Sequence, residues 1–256
     1  MIMKKQPTER PLKKQHQQRM LKLVTQSFYK ELKKYGFEES DLVTVSLELL
    51  DRVTHPELNG TIDQPTYREQ FTVEDIIDHW NTAKELTLGE VRISPLLPQH
   101  VPTVAGWLHQ ERIQNTFISL LPKKPEQLAQ YFFEQALREY FAIFYQDRFV
   151  GFIGADQIDQ THKRIEMKKL VGVSGLSGKG IGKRATFLFL YWAFSKRGFN
   201  KVFIHSMDTN IQNINLNSKF GFELEGVFFE EIFNEGNFRD VLRMGLLRER
   251  FYKIFG

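Results

Sequence analysis

The sequence contains no cysteine among its 256 residues. Disulfide bonds, thiolate-bound zinc and a cysteine nucleophile are therefore excluded as sources of stability or chemistry. No stretch approaches the ~18 uninterrupted apolar residues that a membrane-spanning helix requires. The basic N-terminus is not followed by the apolar run of a secretory signal. These absences predict a soluble, cytoplasmic protein that does not act in a membrane.

The net charge is only +4, but it is unevenly distributed along the chain. Residues 1–36 contain ten Lys or Arg against two Glu, a charge of +8, which leaves −4 for the rest. A basic segment on a mildly acidic body is able to attract nucleic acid or an acidic partner. We favour a solvated helix face, because the basic run lacks the aromatic interleaving that stacks bases. Nucleic acid is therefore not expected as a partner.

Three helices are predicted within residues 1–85. Apolar residues recur at helical spacing from Met20 to Tyr35, and Gly36 follows at a typical helix end. A second helix is predicted to start at Ser40 or Asp41 and to stop before Pro56. A third is predicted to start at Thr72, with Ile76, Ile77 and Trp80 facing inward. We expect residues 1–85 to form a helical N-terminal extension that packs on residues 86–256 or on a second subunit of a homodimer.

Residues 86–256 alternate between strand and helix patterns, and no internal repeat is visible. The predicted order is a strand over Glu90–Ile93, helices over His100–Arg112 and Pro125–Arg138, strands over Phe141–Tyr145, Phe149–Ile153 and Ile165–Val171, a helix ending near Lys196, a strand over Val202–Ser206, a helix over Gln212–Phe220, and hairpin strands over Val227–Phe233 and Val241–Leu247. This order predicts an α+β (mixed α/β) fold with one mostly antiparallel sheet flanked by helices.

The segment from Gly175 to Arg184 is rich in glycine and lies between a predicted strand and a predicted helix. Glycines let consecutive backbone N–H groups face one concavity, and the helix N-terminus adds a positive dipole end, which suits a pyrophosphate. The segment lacks the nucleotide P-loop pattern, and Lys183 stands where a dinucleotide-binding turn requires its third glycine. A purely structural glycine turn is the remaining alternative.

The residues downstream of this turn carry a family resemblance. The segments are Gly178–Gly182, Asn200–Val202, Thr209-Asn210, Asn213–Leu216, Lys219–Phe222, Glu225-Gly226, Asn234–Val241 and Met244–Leu246. In this order they resemble the GCN5-related N-acetyltransferase (GNAT) family, above all its ribosomal-protein N-terminal and amino-sugar branch. The resemblance is strong over residues 163–251, weaker over 88–162 and absent over 1–85.

The resemblance implies a fold in which two strands, here Ile165–Val171 and Val202–Ser206, splay apart toward their C-terminal ends. The pantetheine arm of acetyl-CoA, the implied co-substrate, would pair with the first of them. The residues assigned to the coenzyme are Lys169, Leu170, Val171, Ser177, Gly178, Lys179, Gly180, Ile181, Gly182, Lys183, Asn210 and Asn213. The family usually has Arg or Gln in place of Ser177, so Lys179, Lys183 or Arg184 would supply the missing charge.

The chemistry implied is direct attack of a primary amine on the thioester, within a ternary complex. Backbone N–H groups near Lys169 and Leu170 would stabilise the oxyanion. Glu166 stands where many relatives hold a carboxylate that draws the proton from the amine, although an ordinary exposed strand glutamate paired with Lys168 or Arg164 is the alternative. Asn217 replaces the family's usual tyrosine acid, so either the thiolate would leave unassisted or with water, or Asn217 would only orient the sulfur. An acid is dispensable because a thiol has a pKa of about 8.5.

Asn210 resembles a family residue that binds pantetheine or substrate, with a simple helix N-cap as the alternative. Asp156, His162, His205 and Asp208 are candidates for the acceptor site, and their spacing does not suggest a metal site. The acceptor amine, whether a small molecule or a peptide, is left open among a protein N-terminus, an amino sugar, a polyamine and an aminoglycoside. A non-catalytic acyl-CoA-binding module and an acetyltransferase with a nucleic-acid-binding N-terminal segment are the two rival functions.

Overall fold

The computed structural model describes residues 22, 25–26, 28–30, 32–33, 37–54, 67–114, 121–207, 210–234 and 236–256. The chain divides into two compact units, Met1–Asp63 and Gln64–Gly256. In the first unit, helix α1 spans Glu39–Thr54 and begins with Glu39 and Asp41, whose charges suit the positive end of the helix. The second predicted helix is thus confirmed. The described residues between 22 and 33 are helical and fall within the first predicted helix.

The second unit contains nine strands and seven α-helices in its described part. In chain order these are β1 (Ile77–His79), α2 (Trp80–Ala83), β2 (Glu85–Leu88), β3 (Val91–Pro95), α3 (Val101–Leu108), α4 (Glu111–Gln114), α5 (Pro125–Phe133), β4 (Glu139–Tyr145), β5 (Arg148–Asp159), β6 (Arg164–Val171), α6 (Ile181–Tyr191), β7 (Lys201–Met207), α7 (Ile211–Ser218), β8 (Glu223–Asn234), β9 (Asn237–Leu247) and α8 (Arg248–Phe255). Short 3-10 turns precede β1 and α3, and a π-helical turn, Trp192–Lys196, extends α6.

All nine strands form one sheet in the order β1-β2-β3-β4-β5-β6-β7-β9-β8. Every neighbouring pair is antiparallel except β6 and β7, which are parallel. The predicted mixed fold with a mostly antiparallel sheet is confirmed. No helix among the described residues is long and apolar enough to cross a bilayer.

Helices cover both faces of the sheet, and each face has its own apolar core. One core contains the buried side chains of α6 and α8 together with sheet residues such as Ile165 and Met167. The other contains those of α3 and α5 together with Leu170. Alternation along β6 therefore sends Ile165 and Met167 to the α6 face and Leu170 to the opposite one. Strand β6 is thus fixed from both sides, which positions its polar residues.

The third predicted helix, from Thr72, is wrong. Its first residues form only a 3-10 turn, Val73–Asp75, in which the Asp75 carboxylate accepts from the Thr72 backbone N–H at 2.7 Å. The Asp78 carboxylate then accepts from the Trp80 N–H at 3.0 Å. Such local side-chain bonds compete with a continuous helix, and Ile77–His79 instead pairs with β2. The unit that carries the sheet begins at Gln64, whereas the sequence placed the start of the second domain at residue 86.

Candidate active site

Strands β6 and β7 pair only at their beginnings and then separate. Their register covers Arg164 with Lys201, Ile165 with Val202, and Glu166 with Phe203. Beyond Glu166 the gap widens into a cleft of about 220 Å³. The lining residues are Arg112, Ile113, Glu166, Met167, Lys168, Lys169, Leu170, Val171, Ile204, His205, Ser206, Asn210, Asn213 and Asn217. The cleft thus brings together both predicted catalytic residues and five of the predicted coenzyme residues: Lys169, Leu170, Val171, Asn210 and Asn213.

The backbone of β6 opens one hydrogen-bonding edge into this cleft. The Gly172 N–H donates to the Val150 oxygen in the direction of β5 at 2.8 Å. N–H directions alternate along an antiparallel strand, and the ladder is regular from Val171 back to Glu166. The N–H groups of Val171, Lys169 and Met167 therefore face the cleft. Of the two predicted oxyanion donors, this places the Lys169 N–H toward the cleft and the Leu170 N–H toward β5.

The glycine-rich turn links the end of β6 to the start of α6, as the sequence predicted. Gly175, Gly178 and Gly180 have φ values of 78°, 80° and 72°, a region that residues other than glycine rarely adopt. Gly180 is the residue immediately before α6. The first N–H groups of that helix have no acceptor within it and carry its positive dipole end. The Lys179 N–H, in contrast, already donates to Leu176 within the turn at 3.4 Å.

The cations around the turn have different partners. The Lys183 ammonium donates to Gln70 Oε1 at 2.9 Å and lies over the rings of Tyr67 and Phe71 at 5.5 and 5.8 Å. Arg184 donates from Nη1 to the Lys179 carbonyl at 3.0 Å, inside the turn. Lys179 itself is exposed. Of the three cations that the sequence proposed in place of an arginine or glutamine at Ser177, Lys183 is held by residues 67–71, Arg184 is bound within the turn, and Lys179 lies at the turn surface.

Lys169 projects from β6 onto the first turn of α6. Its ammonium donates to Thr186 Oγ1 at 2.6 Å and to the Gly182 carbonyl at 3.3 Å. Burial lowers the pKa of Lys169 from 10.5 to about 8. Taking a cation out of water favours its neutral form, and neither hydrogen-bond partner carries a compensating negative charge.

Lys169→Met is expected to stabilise the protein at neutral pH. The lowered pKa corresponds to a cost of roughly 3 kcal/mol, and losing two hydrogen bonds offsets roughly 1–2 kcal/mol of the gain. Because the folded-state pKa lies below the unfolded-state pKa, the cost is complete below about pH 8 and disappears above 10.5. Urea denaturation of the wild type and Lys169→Met at pH 7 and pH 10.5 measures this cost. An equal gain in the free energy of unfolding at both pH values would show that the buried charge of Lys169 is not its cause.

Glu166 is a buried carboxylate at the point where the strands separate. Its Oε2 accepts from Gln157 Nε2 at 2.8 Å and lies 3.6 Å from Lys168 Nζ. Its Oε1 lies 3.0 Å from Nδ1 of His205. Of the alternative interpretation, an exposed glutamate paired with Lys168 or Arg164, the contact with Lys168 is present, but Glu166 is buried and Arg164 contacts Asp159 at 3.2 Å. Gln157 and His205 are partners of Glu166 that sequence reasoning did not assign.

Asp156 lies beside Glu166 in the β5–β6 register and anchors a second charge cluster. Its Oδ1 accepts from Arg138 Nε at 2.8 Å, and its Oδ2 accepts from the Tyr131 hydroxyl and lies 3.5 Å from Lys168 Nζ. Burial acts to raise the pKa of Asp156, but the Tyr131 hydrogen bond and the Lys168 and Arg138 charges outweigh it, so the pKa is lowered. Asp156 thus neighbours two residues of the cleft, Glu166 and Lys168, without lining the cleft itself.

The other acceptor-site candidates have different positions. The His162 side chain is 71% exposed and pairs with Asp159 in the β5–β6 turn, away from the cleft residues. His205 lines the cleft, and Asp208 lies outside the described residues. In the described part of the chain, no group of three or more His, Asp or Glu side chains is arranged to hold a metal ion.

Three asparagines form a chain of amide hydrogen bonds along α7. Asn210 Oδ1 accepts from the Asn213 N–H at 3.2 Å, which makes it the helix N-cap. Asn217 Nδ2 donates to the Asn213 carbonyl at 2.7 Å and to Asn213 Oδ1 at 3.0 Å. These two acceptors fix the amide orientation. Asn217 Oδ1 is buried and has no partner among the described residues, so the side chain presents an acceptor and no acidic proton.

Gly172 directly follows β6 and precedes the glycine-rich turn. A Cβ atom at this position would overlap the indole ring of Trp107. Its carbonyl accepts from Arg112 Nη2, and Trp107 packs on Phe149 at 4.9 Å between ring centres. The close approach of α3 to β6 therefore depends on the missing side chain.

Gly172→Ala is expected to destabilise the protein by about 2–3 kcal/mol, because Trp107 has to leave its packed position. Gly106→Ala is the matched control: Gly106 lies in the same helix as Trp107, and a Cβ there meets nothing within 4 Å. That control should stabilise by about 0.5–1 kcal/mol. Chemical denaturation of both variants measures the difference. Equal stabilities would contradict the predicted overlap.

The residues that line the cleft lie within a segment that matches a known protein family. The model for the acetyltransferase (GNAT) domain matches residues 90–223, more than half of the chain. The chain belongs to the GNAT acetyltransferase family. This confirms the family that was predicted from the glycine-rich turn and the segments after it. The match starts at Glu90, so β1, β2 and the Tyr67–Phe71 segment precede it.

Known relatives agree with this assignment. The chain is 26% identical over 101 residues to spermidine N(1)-acetyltransferase of Escherichia coli strain K12, and the match covers 40% of this chain and 54% of that protein. The Vibrio cholerae enzyme of the same name is 26% identical over 106 residues, covering 41% and 61%. The chain thus spans little more than half the length of the curated relatives it matches.

Solved structures show the same GNAT fold. The spermidine N-acetyltransferase of Vibrio cholerae in complex with CoA and spermine superimposes with a TM-score of 0.60 at 18% identity, covering 64% of this chain and 98% of that one. The dodecameric structure of the same enzyme in an intermediate state gives a TM-score of 0.56 at 18% identity, covering 64% and 96%.

Proposed function

We propose that this GNAT protein transfers an acetyl group from acetyl-CoA to a primary amine. The observation that carries the proposal is the cleft between β6 and β7, which opens immediately after Glu166 and leads to a glycine-rich turn at the start of a helix. The cleft-facing backbone of Met167, Lys169 and Val171 suits an extended amide-containing arm that pairs like an added strand. The N-terminal turn of α6 suits its pyrophosphate.

The role of each site residue in this reaction follows from its position along the cleft. The Lys169 N–H is the oxyanion donor, because it faces the cleft from the middle of the open β6 edge. The Glu166–His205 pair receives the proton that the amine loses. Asn217 passes no proton: its amide donors are bound to Asn213, and an amide oxygen only accepts. Ser177, Gly178, Gly180, Ile181 and Gly182 provide backbone contacts to the pyrophosphate, and Lys179 provides the nearby positive charge.

The acceptor is a small amine or a peptide amine. Its proposed pocket combines the end of α4, where Arg112 and Ile113 line the cleft, with the aromatic hairpin of β8 and β9. That hairpin exposes Phe229, Phe233 and Phe238, and Phe228 contacts the His205 ring at 5.7 Å between ring centres. Spermidine, the substrate in the names of the matched relatives, is one candidate among polyamines, amino sugars, aminoglycosides and peptide N-termini.

Isothermal titration calorimetry is expected to show that acetyl-CoA binds at micromolar concentrations, whereas ATP and NAD do not. The physical reason is that the open strand edge pairs with pantetheine amides, which neither nucleotide contains. A thiol-release assay with spermidine, glucosamine, kanamycin and an alanyl peptide then identifies the acceptor. Absence of acetyl-CoA binding would refute the catalytic proposal and favour a non-catalytic module.

A further inference from the structure

The Glu166–His205 contact joins two side chains with different exposure. Their atoms Oε1 and Nδ1 are 3.0 Å apart, and the exposed fractions of the side chains are 5% for Glu166 and 22% for His205. Both line the same cleft. The imidazole is therefore the member of the pair that is more open to an incoming amine.

The hydrogen-bond pattern fixes the tautomer of the imidazole. An ionised carboxylate oxygen only accepts hydrogen bonds, so the His205 nitrogen that faces Glu166 carries the hydrogen. A neutral imidazole with its hydrogen on Nδ1 has its lone pair on Nε2. The other oxygen of Glu166 is held by Gln157 Nε2 at 2.8 Å and lies near Lys168. Glu166 is thus anchored through both oxygens, while the basic nitrogen of His205 points away from it.

Gln157 is held in position by an irregularity of the sheet. The β5–β6 register shifts between Asp156 and Asp159, and Gln157 has a φ of 48° in the left-handed region. A non-glycine residue in this conformation is strained by about 1–2 kcal/mol. The same irregularity lets the exposed Gln157 side chain reach across to the Glu166 carboxylate. This strain persists because the surrounding ladder holds the residue, a pattern that is frequent at functional sites.

We infer that Nε2 of His205 is the base of the transfer reaction and that Glu166 and Gln157 are positioning residues; this rests on the proposed function. As the amine nitrogen forms its bond to the thioester carbon, it gives a proton to Nε2. The carbonyl electron pair moves onto oxygen and returns when the C–S bond breaks. Sulfur leaves with the bonding pair as CoA thiolate, and the imidazolium releases its proton to water. A carboxylate that orients a histidine base is an established arrangement in acyl transfer.

The groups that face His205 from neighbouring strands define its electrostatic surroundings. Glu166 contacts it from β6, where Lys168 lies 3.6 Å from that carboxylate, and Arg243 is its register partner on β9. Arg243 lies 4.0 Å from the ring centre of Phe203 and 3.3 Å from Glu225 on β8, which balances its charge.

The test compares full-length wild-type protein with His205→Ala, His205→Asn and Glu166→Gln in the thiol-release assay. His205→Ala and His205→Asn should each lower kcat/KM by about 10²–10⁴-fold, with little change in acetyl-CoA affinity. Added imidazole should restore activity to His205→Ala in proportion to its unprotonated fraction, after subtraction of the enzyme-free rate. A purely structural role gives no such rescue. His162→Ala is the matched control, because this exposed histidine lies outside the cleft, and it should retain full activity.

Nitrogen NMR of the ¹⁵N-histidine-labelled wild type gives a readout that does not require turnover. His205, assigned by its absence in His205→Asn, should show hydrogen on Nδ1 and a free Nε2. Hydrogen on Nε2 would overturn the inference, as would near-normal activity of both His205 variants or loss in His205→Ala without imidazole rescue. Absence of thiol release by the wild type with all four amines would instead refute the proposed function, and the role of His205 with it.

Discussion

Glu166→Gln is expected to lower the rate of acetyl transfer by about 10²–10⁴-fold, with acetyl-CoA affinity nearly unchanged. The reason is the direction of the hydrogen bonds around the carboxylate. Gln157 donates to one oxygen of Glu166, so the amide oxygen of the substituted side chain would take that side. Its NH₂ group would then face His205 and force the imidazole hydrogen onto Nε2. The variant retains its shape but presents the wrong tautomer to the amine.

Steady-state kinetics with saturating acetyl-CoA measure this loss, and calorimetry measures the coenzyme affinity. Raising the pH should partly rescue the variant, because a larger fraction of the acceptor amine is then already neutral. Asn217→Ala should cost far less, since no proton passes through that amide. If Glu166→Gln keeps near-normal activity at neutral pH while Asn217→Ala abolishes it, the roles assigned to both residues are wrong.

The part of the site that sequence alone predicted consists of local features. The strand before the glycine-rich turn, the turn and the following helix are neighbours in the chain, and each carries its own signal. The sequence predicted a strand over Ile165–Val171, a glycine-rich segment after it and an apolar helix beyond, and the structure has β6, a turn with three glycines of positive φ and α6 in that order. The order of these elements together with the downstream motifs was sufficient to predict the family, which the comparison with the GNAT domain confirms.

The contacts that sequence reasoning missed join residues far apart in the chain. Glu166 and His205 are separated by 39 positions, and Lys183 and Gln70 by 113. The first pair depends on where the parallel β6–β7 register stops, and the second on an aromatic turn that packs against α6. The segment after Thr72 was misjudged for a different reason. Its apolar spacing fits a helix, but the carboxylates of Asp75 and Asp78 bind nearby N–H groups and interrupt it.

The branch of the family predicted from the sequence and the roles of residues 1–85 stay predictions. The matched relatives carry the name of a polyamine acetyltransferase, whereas the sequence motifs most resembled the ribosomal-protein N-terminal and amino-sugar branch.

Within the cleft, the charged residues are Glu166 and three cations, Arg112, Lys168 and Lys169. This excess of positive charge is unfavourable for a polycation, so the acceptor panel includes amines of lower charge.

Asp156→Ala is expected to destabilise the protein by about 3–5 kcal/mol, the usual effect of removing one partner from a buried charge cluster. The variant leaves Arg138 and Lys168 largely buried without their shared carboxylate, and Tyr131 loses its acceptor. Asp159→Ala is the matched control. Asp159 also binds an arginine and a histidine, but it ends β5 and both of its partners are exposed, so its removal should have a much smaller effect.

The pH dependence of Asp156→Asn separates the charge from the shape of this side chain. Because the folded-state pKa of Asp156 is lowered from its ordinary value of 3.8, its contribution is complete above that pH and is lost as the pH falls through the folded-state pKa. Urea denaturation should therefore show the wild type and Asp156→Asn converging in stability below about pH 3.8.

Replacing Arg138 by Met together with Asp156→Leu should recover much of the stability that Asp156→Ala loses, because a buried ion pair is often no more stable than apolar packing. A single-variant loss below about 1 kcal/mol, the level of an exposed ion pair, would show that solvent screens the cluster.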